Sequence, residues 1–267
     1  MIIKKSRDEI AKLARAGEVV ARAHEALTAA LEPGMTTADL DRIAEDVITR
    51  AGAVPSFKGY RGFPATLCTS PNDQIVHGIP SRDVVLAEGD LVSIDCGAIV
   101  EGFHGDSATT LVVGGDDAVD ERGATLVRET RNALWQGIAQ ACDGNRLGDV
   151  GAAVESVAIR HGFGVVREYV GHGVGRALHE DPSVPNYGRA GRGLRMSAGW
   201  VIAIEPMFNL GSDHTRTLDD AWTVVTADGE RSAHWEHTVA LTIDGPWVLT
   251  ARCDEPSHPL DEGVPTY

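Results

Sequence analysis

The sequence predicts a protein of helices and strands arranged twice over, as two related halves, and three observations lead there. Positions 110 residues apart match in kind, Gly34 with Gly144, Leu40 with Val150, Val47 with Val157 and Gly52 with Gly162. The same offset relates two apolar strands that close on an acid, LVSID ending at Asp95 and VIAIE ending at Glu205. Helical spacing followed by strand patterning runs once before the first acid and again before the second. Chance explains one match, but not five sharing one offset through helix, glycine and strand. The halves are placed at about 1–115 and 116–250 of a single domain, 1–267, with a short C-terminal tail.

In chain order, Ser6-Arg7-Asp8-Glu9 fits a capping box, and Ile10, Leu13, Val20 and Leu27 give an apolar face to a first helix that stops at Pro33-Gly34. Thr37 is placed to cap a second helix, in which Leu40, Ile43, Ala44, Val47 and Ile48 keep helical spacing until Gly52. Positions 56–70 read as loop and short strand, and His77-Gly78-Ile79-Pro80 as a turn. The segment 89–109 predicts a β-hairpin, with Leu91, Val92 and Ile94 in a buried strand ending at Asp95, and Gly97 and Gly102 where a turn needs them. A second pair of helices is predicted at about 120–141 and 147–161, closed by Gly144 and Gly162. Trp222-Thr223-Val224-Val225 and Thr238-Val239-Ala240-Leu241 read as strands around Asp228-Gly229.

The hairpin brings Asp95 and Asp106 out of paired strands, side by side. An acid closing an apolar strand loses solvation unless a cation or donor receives it, so the pair points to a metal site. Solvated carboxylates on an edge hairpin are the plainer alternative for this segment taken alone. Farther on, Gly171-His172-Gly173-Val174-Gly175-Arg176-Ala177-Leu178-His179-Glu180 sets two imidazoles seven positions apart among glycines that permit tight turns. Either histidine alone is better explained by a structural role. The run lacks the GK[ST] ending of a P-loop and the βαβ setting of a dinucleotide fingerprint, which argues against a phosphate loop. Pro206 ends the strand after Glu205, and Glu236 stands just before Thr238.

Composition sets the outer limits. At 43% hydrophobic and 24% charged, the 267 residues are those of a globular chain rather than a disordered one. Charge in the first five residues, with no apolar run behind it and no stretch of about 18 apolar residues anywhere, predicts a cytoplasmic protein without a membrane span. Cys68, Cys96, Cys142 and Cys253 lack CxxC spacing and predict reduced thiols. The net charge of −15, from 24 basic and 39 acidic residues, argues against broad binding of nucleic acid or anionic membrane.

Taken together, HGIP at 77–80, Asp95 and Asp106 within IDCGAIVEGFHGD, GHGVGRALHE at 171–180, IEPM at 204–207 and EHT at 236–238 resemble the type I methionine aminopeptidases. The resemblance runs from the first helix to about Leu249, and five separated motifs in the right order make it specific. His179 and Glu205 are only 26 positions apart, which leaves no room for the helical insertion of type II relatives. The resemblance implies an α+β pita-bread fold, pseudo-two-fold, with a curved antiparallel sheet covered by helices around a dinuclear metal site. It implies Asp95, Asp106, His172, Glu205 and Glu236 as ligands of two divalent ions. Asp106 and Glu236 would bridge them, Asp95 would hold one, and His172 with Glu205 the other. Four carboxylates and one imidazole are a hard, oxygen-rich set, open to Mn²⁺, Fe²⁺, Co²⁺ or Zn²⁺.

The implied reaction is removal of the N-terminal methionine from peptides and nascent chains, with a small second residue preferred. A water bridging the ions would attack, with Glu205 as general base, His179 donating to the carbonyl oxygen and His77 contacting the scissile nitrogen. Tyr60, Phe63, Cys68, Leu178 and Trp222 match positions that line the methionine pocket, Leu178 standing where an aromatic is common. Two mild departures are Pro71, where a small aliphatic is usual, and His234, which replaces a common glutamine and would perturb Glu236. A monomer is expected. For Arg189, Arg192 and Arg195, a solvated loop is a better reading than a phosphate anchor for transient ribosome contact. A proline-specific peptidase of the same fold shares the ligands but usually carries an extra amino-terminal domain, and only 76 residues precede His77. A noncatalytic binding protein on this scaffold would have lost ligands, and all five are in place.

Overall fold

A computed structural model describes residues 2–257, so residues 258–267 of the expected tail lie outside the described residues. Helix α1, Arg7–Ala30, starts on the expected box, in which Ser6 accepts from the Glu9 amide and the Glu9 carboxylate accepts from that of Ser6. Helix α2 spans Thr37–Arg50, and its cap is Thr36 rather than the expected Thr37. The acid three residues on decides the matter. Asp39 accepts from the Thr36 amide and completes a box with Thr36, while the Thr37 hydroxyl donates to the Ser81 carbonyl. Helix α3, Glu121–Gln140, is capped by Asp120, and α4, Leu147–His161, ends on Gly162 in the left-handed region.

The central hairpin pairs Leu91–Val100 with Phe103–Val112 through a turn at Glu101 and Gly102, both left-handed. Its first strand does not end at Asp95, and Gly97 takes no part in a turn. Asp95 lies mid-strand opposite Ala108, and Gly97 lies opposite Asp106. Gly97 is small because the chain at 56–57 closes on it, leaving a Cβ only 2.7 Å from that of Ser56 and 2.8 Å from Phe57 Cε1. The two acids are therefore diagonal neighbours on one face of the hairpin rather than an opposed pair.

The hairpin belongs to a four-stranded sheet with Val54–Pro55 and Leu67–Pro71. A five-stranded antiparallel sheet runs in the order Gly245–Val248, His237–Thr242, Val201–Ile204, Gly171–Gly173, Glu180–Val184. Helices cover both. Val20, Leu27, Leu40 and Ile48 of α1 and α2 pack on Leu67, Val92 and Ile94, and Leu134, Ile138 and Val150 of α3 and α4 pack on Ile202, Ile204 and Val239. Local contacts also recur 110 positions apart. Gly34 N donates to Leu86 O (2.8 Å) and Gly144 N to Met196 O (3.1 Å), while lone bridges join Thr36 to Val85 and Arg146 to Arg195.

Hydrogen bonds stitch the hairpin to the strand His237–Thr242 and its approach. The Thr238 hydroxyl accepts from Asp106 N (3.1 Å) and donates to Asp106 O (2.8 Å), and the Ser107 hydroxyl donates to Glu236 O (2.6 Å). Glu236 N donates in turn to Ala108 O at 3.0 Å. Among the described residues, no helix is long and apolar enough to cross a membrane.

Helix α1 crosses the second hairpin strand where Gly17 meets Gly105, and a Cβ on Gly105 would stand 2.6 Å from Gly17 N. Backbone at that distance cannot give way without moving the helix. Gly105→Ala is expected to cost about 1–3 kcal/mol of stability, read as a lower denaturant midpoint. An unaltered midpoint would show that the helix moves freely.

Candidate metal centre

One cavity of about 150 Å³ is lined by all the residues expected at the site, Asp95, Asp106, His172, Glu205 and Glu236 together with His77, His179, Tyr60, Phe63, Cys68, Leu178 and Trp222. Phe57, Arg61 and Val76 line it as well. These three were not singled out for the site, and the only signal for Arg61 and Val76 is adjacency to Tyr60 and His77.

Two acids come from within strands and two from strand ends. Asp95 and Asp106 come from the hairpin, Glu205 follows Val201–Ile204, and Glu236 precedes His237–Thr242, the strand paired with it. His172 lies in Gly171–Gly173, next to the Val201–Ile204 strand. Asn186 fixes the Glu205 backbone by donating from Nδ2 to its carbonyl at 2.9 Å.

The arrangement has the chemistry of a cation site. Ligating atoms of Asp106, His172 and Glu236 all lie within 4.8 Å of one another. His172 Nδ1 is 2.9 Å from the Gly173 carbonyl, which only accepts, so Nδ1 carries the hydrogen and Nε2 keeps its lone pair. That Nε2 stands 3.8 Å from Asp106 Oδ2 and 3.6 Å from Glu205 Oε1. Asp95 Oδ1, Asp106 Oδ1 and Glu236 Oε1 are buried with no hydrogen-bond partner, a costly condition that divalent ions would relieve. The residues present therefore fit the metal site that the donor set implies.

Without a cation the carboxylates resist ionisation. Burial pushes Glu205 up to about 8, assisted by the Asp106 charge, and burial pushes Asp106 up to about 7. Asp95 and Glu236 are driven well above the usual carboxylate range, first by burial and then by neighbouring acids. The imidazoles move oppositely. Burial lowers His172 to about 3, with the nearby His179 contributing, and lowers His77 to about 4. His234 also falls to about 3 by burial, but its place corrects an expectation. Rather than acting on Glu236, its Nε2 stands 3.8 Å from Glu205 Oε2.

One end of the cavity is apolar. Phe57, Phe63, Cys68 and Leu178 form a buried cluster flanked by Tyr60 and Trp222, with Phe63 and Trp222 edge to face at 5.1 Å. Burial raises the Cys68 thiol well above its usual range, so it stays neutral there. Tyr60 OH lies 2.9 Å from His179 Nδ1, and the His179 and His172 rings are 4.2 Å apart. His77 has a left-handed backbone, φ 61°, and sets its ring edge to face with Tyr169 and Trp222.

The model of metallopeptidase family M24 matches residues 11–242. Methionine aminopeptidase 1 of Mycobacterium tuberculosis is 53% identical over 256 residues, covering 94% of this chain and 95% of that protein. The methionine aminopeptidase of Clostridium acetobutylicum is 49% identical over 250 residues, covering 94% and 99%. Among solved structures, that of methionine aminopeptidase from Thermotoga maritima superposes with a TM-score of 0.92 at 43% identity, covering 94% of this chain and 100% of that one. A prolidase from Pyrococcus horikoshii shares the fold alone, at 24% identity and a TM-score of 0.74, and the chain covers 64% of it.

The opposed shifts fix a pH dependence for the metal-free protein. Native Asp106 and Glu205 hold protons up to about 7 and about 8 that the unfolded chain has already released, so their contribution falls as pH rises. The histidines act with opposite sign, but only below their ordinary value of 6.5, where the unfolded chain takes up protons that the native one refuses. Above pH 6.5 the histidine contribution fades as the unfolded imidazoles lose their protons, and up to about 8 the carboxylates dominate. With a chelator present, the thermal midpoint should decline across that interval, and added Mn²⁺ should abolish the slope. A flat or rising midpoint would show that these carboxylates are already ionised together in the metal-free protein.

Proposed function

We propose, for a chain that belongs to metallopeptidase family M24 as a type I methionine aminopeptidase with the pita-bread fold, a division of labour among the cavity residues. The protein is a metal-dependent hydrolase of the aminopeptidase class, and Asp106, His172 and Glu236 form a metal-binding triad. Asp95 and Glu205 complete the ligand set for two divalent ions. Orphaned oxygens on Asp95, Asp106 and Glu236 support this reading. When bound, the ions supply Lewis acidity and a water of lowered pKa. Mn²⁺, Fe²⁺, Co²⁺ and Zn²⁺ all suit a set of four carboxylates and one imidazole.

The chain's own groups do the rest. Glu205 takes a proton and returns it to the leaving amine. With the Tyr60 hydroxyl donating to Nδ1, His179 Nε2 carries a hydrogen to offer the carbonyl oxygen as that oxygen becomes anionic. His77 is neutral at pH 7 and contacts the scissile nitrogen. Phe63, Cys68, Leu178, Tyr60 and Trp222 receive the methionine side chain and exclude water. The substrates are peptides and nascent chains beginning with methionine and a small second residue. Four unpaired cysteines support a reducing, cytoplasmic setting for a monomer.

The observation that carries this reading is the continuity of one cavity from the buried acids to the apolar cluster. Met-Ala-Ser should release methionine only when a divalent ion is supplied, and chelator should stop it. His179→Ala should keep its metal while turnover falls about 10² to 10³, the loss expected for one oxyanion donor, whereas His172→Ala should lose metal too. Equal metal loss in both variants would remove the distinction between ligand and donor.

The apolar end makes a separate prediction about the first residue. Norleucine has nearly the shape of methionine and forgoes only a sulfur–aromatic contact of about 0.3–1.5 kcal/mol. Its kcat/KM should fall within roughly tenfold of methionine. Valine, which leaves the deep end empty and crowds the wall at Cβ, should fall much further. A loss above about a hundredfold for norleucine would mean that a polar group reads the sulfur.

A further inference from the structure

The loop that carries Leu178 and His179 is held from outside the cavity by the amino-terminal arm. Lys5, which precedes α1, sends its ammonium to Glu180 Oε2 at 2.6 Å, and the pair is buried, with 4% of the lysine side chain and 11% of the glutamate side chain exposed. Lys5 Nζ also donates to the Ile3 carbonyl at 3.0 Å, and Lys5 N to the Gly199 carbonyl at 2.7 Å, fixing the arm beside the strand that leads to Glu205. The other oxygen of Glu180 accepts from Ala177 N at 3.2 Å, which closes the loop on itself. Gly175 shows how tight the join is, since a Cβ there would lie 2.6 Å from Lys5 Cε and 2.7 Å from Glu180 Cδ. The far side of the loop is tied too, with His104 N donating to Gly175 O and Arg176 stacked 4.3 Å over the Phe103 ring.

We infer that Lys5 is a positioning residue, whose ion pair with Glu180 sets the place of Leu178 at the pocket wall and of His179 over the metal centre. A buried pair is a costly device for stability alone, because its desolvation consumes much of its attraction. Its effect here is directional. Glu180 follows His179 directly in the chain and pairs with Gly173, the neighbour of His172. Any shift of its carboxylate is passed to both imidazoles. The inference rests on the roles proposed above for Leu178 and His179.

Lys5→Met keeps the stem and removes the charge, and Glu180→Gln removes the other charge with little change of shape. In either variant kcat/KM for Met-Ala-Ser should fall between about ten- and a hundredfold, the loss expected from a donor displaced by an ångström or less, while bound metal is retained. The double variant should be no worse than the more damaged single one. A second readout needs no turnover. In metal-free protein the His179 ring resonances should move in Lys5→Met, while those of His24, bonded to the Ser107 carbonyl at 2.8 Å, stay in place. Wild-type kcat/KM with an unmoved His179 signal, even at a lowered thermal midpoint, would overturn the inference and leave Lys5 a stabilising residue only. A wild-type protein that released no methionine would instead sink the proposed function, and the resonances would still decide for or against Lys5.

Discussion

Four carboxylates in one buried cavity repel each other, and the architecture around the site is the means of keeping them together. Burial opposes ionisation at Asp95, Asp106, Glu205 and Glu236, and neighbouring acids add to it at Asp95, Glu205 and Glu236. Left to local forces, such groups would swing to solvent or take up protons. They are denied the first by backbone pairing. Asp106 is fixed on both its N–H and its carbonyl by one hydroxyl, that of Thr238, and Glu236 is fixed by Ser107 and Ala108. Behind Ser107 stands His24 of α1, wholly buried and lowered to about 3 by desolvation, so that its ring donates to the Ser107 carbonyl as a neutral group. A helix, a hairpin and a strand are thereby locked to one set of acids.

The 110-residue recurrence gives that lock an economical origin. Asp95 and Glu205 occupy equivalent positions, one within and one just beyond an apolar strand entered through a left-handed glycine, Gly89 or Gly199. Each strand is covered by a helix pair whose second member starts next to a lone bridge, Thr36 with Val85 or Arg146 with Arg195. Two copies of one motif facing each other present acids from both sides without any long excursion of the chain. The copies differ where chemistry requires it. Val54–Pro55 and Gly164–Val165 keep the offset, but only the second copy places an imidazole, His172, on a neighbouring strand.

Much of this was legible because periodicity and punctuation act locally. Ser6 with Glu9, the helix Leu147–His161 and its Gly162 are decided by residues within one turn. What was misplaced depends on contacts distant in sequence. Gly97 reads as a turn glycine, yet it is small because residues 56–57 press on it from forty positions away. Thr37 gives its hydroxyl to Ser81, 44 positions on, although the choice of Thr36 as cap already follows from Asp39 close by. His234 stands two residues from Glu236 in sequence, yet its Nε2 lies 3.8 Å from Glu205 Oε2, an acid just beyond a different strand. The motifs named every expected member of the cavity wall. Lys5 has no motif, because its partner lies 175 positions on.

The two adjacent imidazoles show how backbone contacts separate roles that side-chain identity leaves equal. His172 and His179 are seven residues apart with rings 4.2 Å apart, and burial lowers the pKa of both. Charging either would raise the cost of charging the other, so both work as neutral rings, each with one donor and one acceptor nitrogen. The Gly173 carbonyl forces the hydrogen of His172 onto Nδ1 and turns a bare Nε2 toward the acids. Tyr60 places its hydroxyl 2.9 Å from His179 Nδ1, and in the proposed assignment it donates there, leaving the ring hydrogen on the opposite nitrogen. In the proposed division of labour one ring binds a cation and the other stabilises an anion.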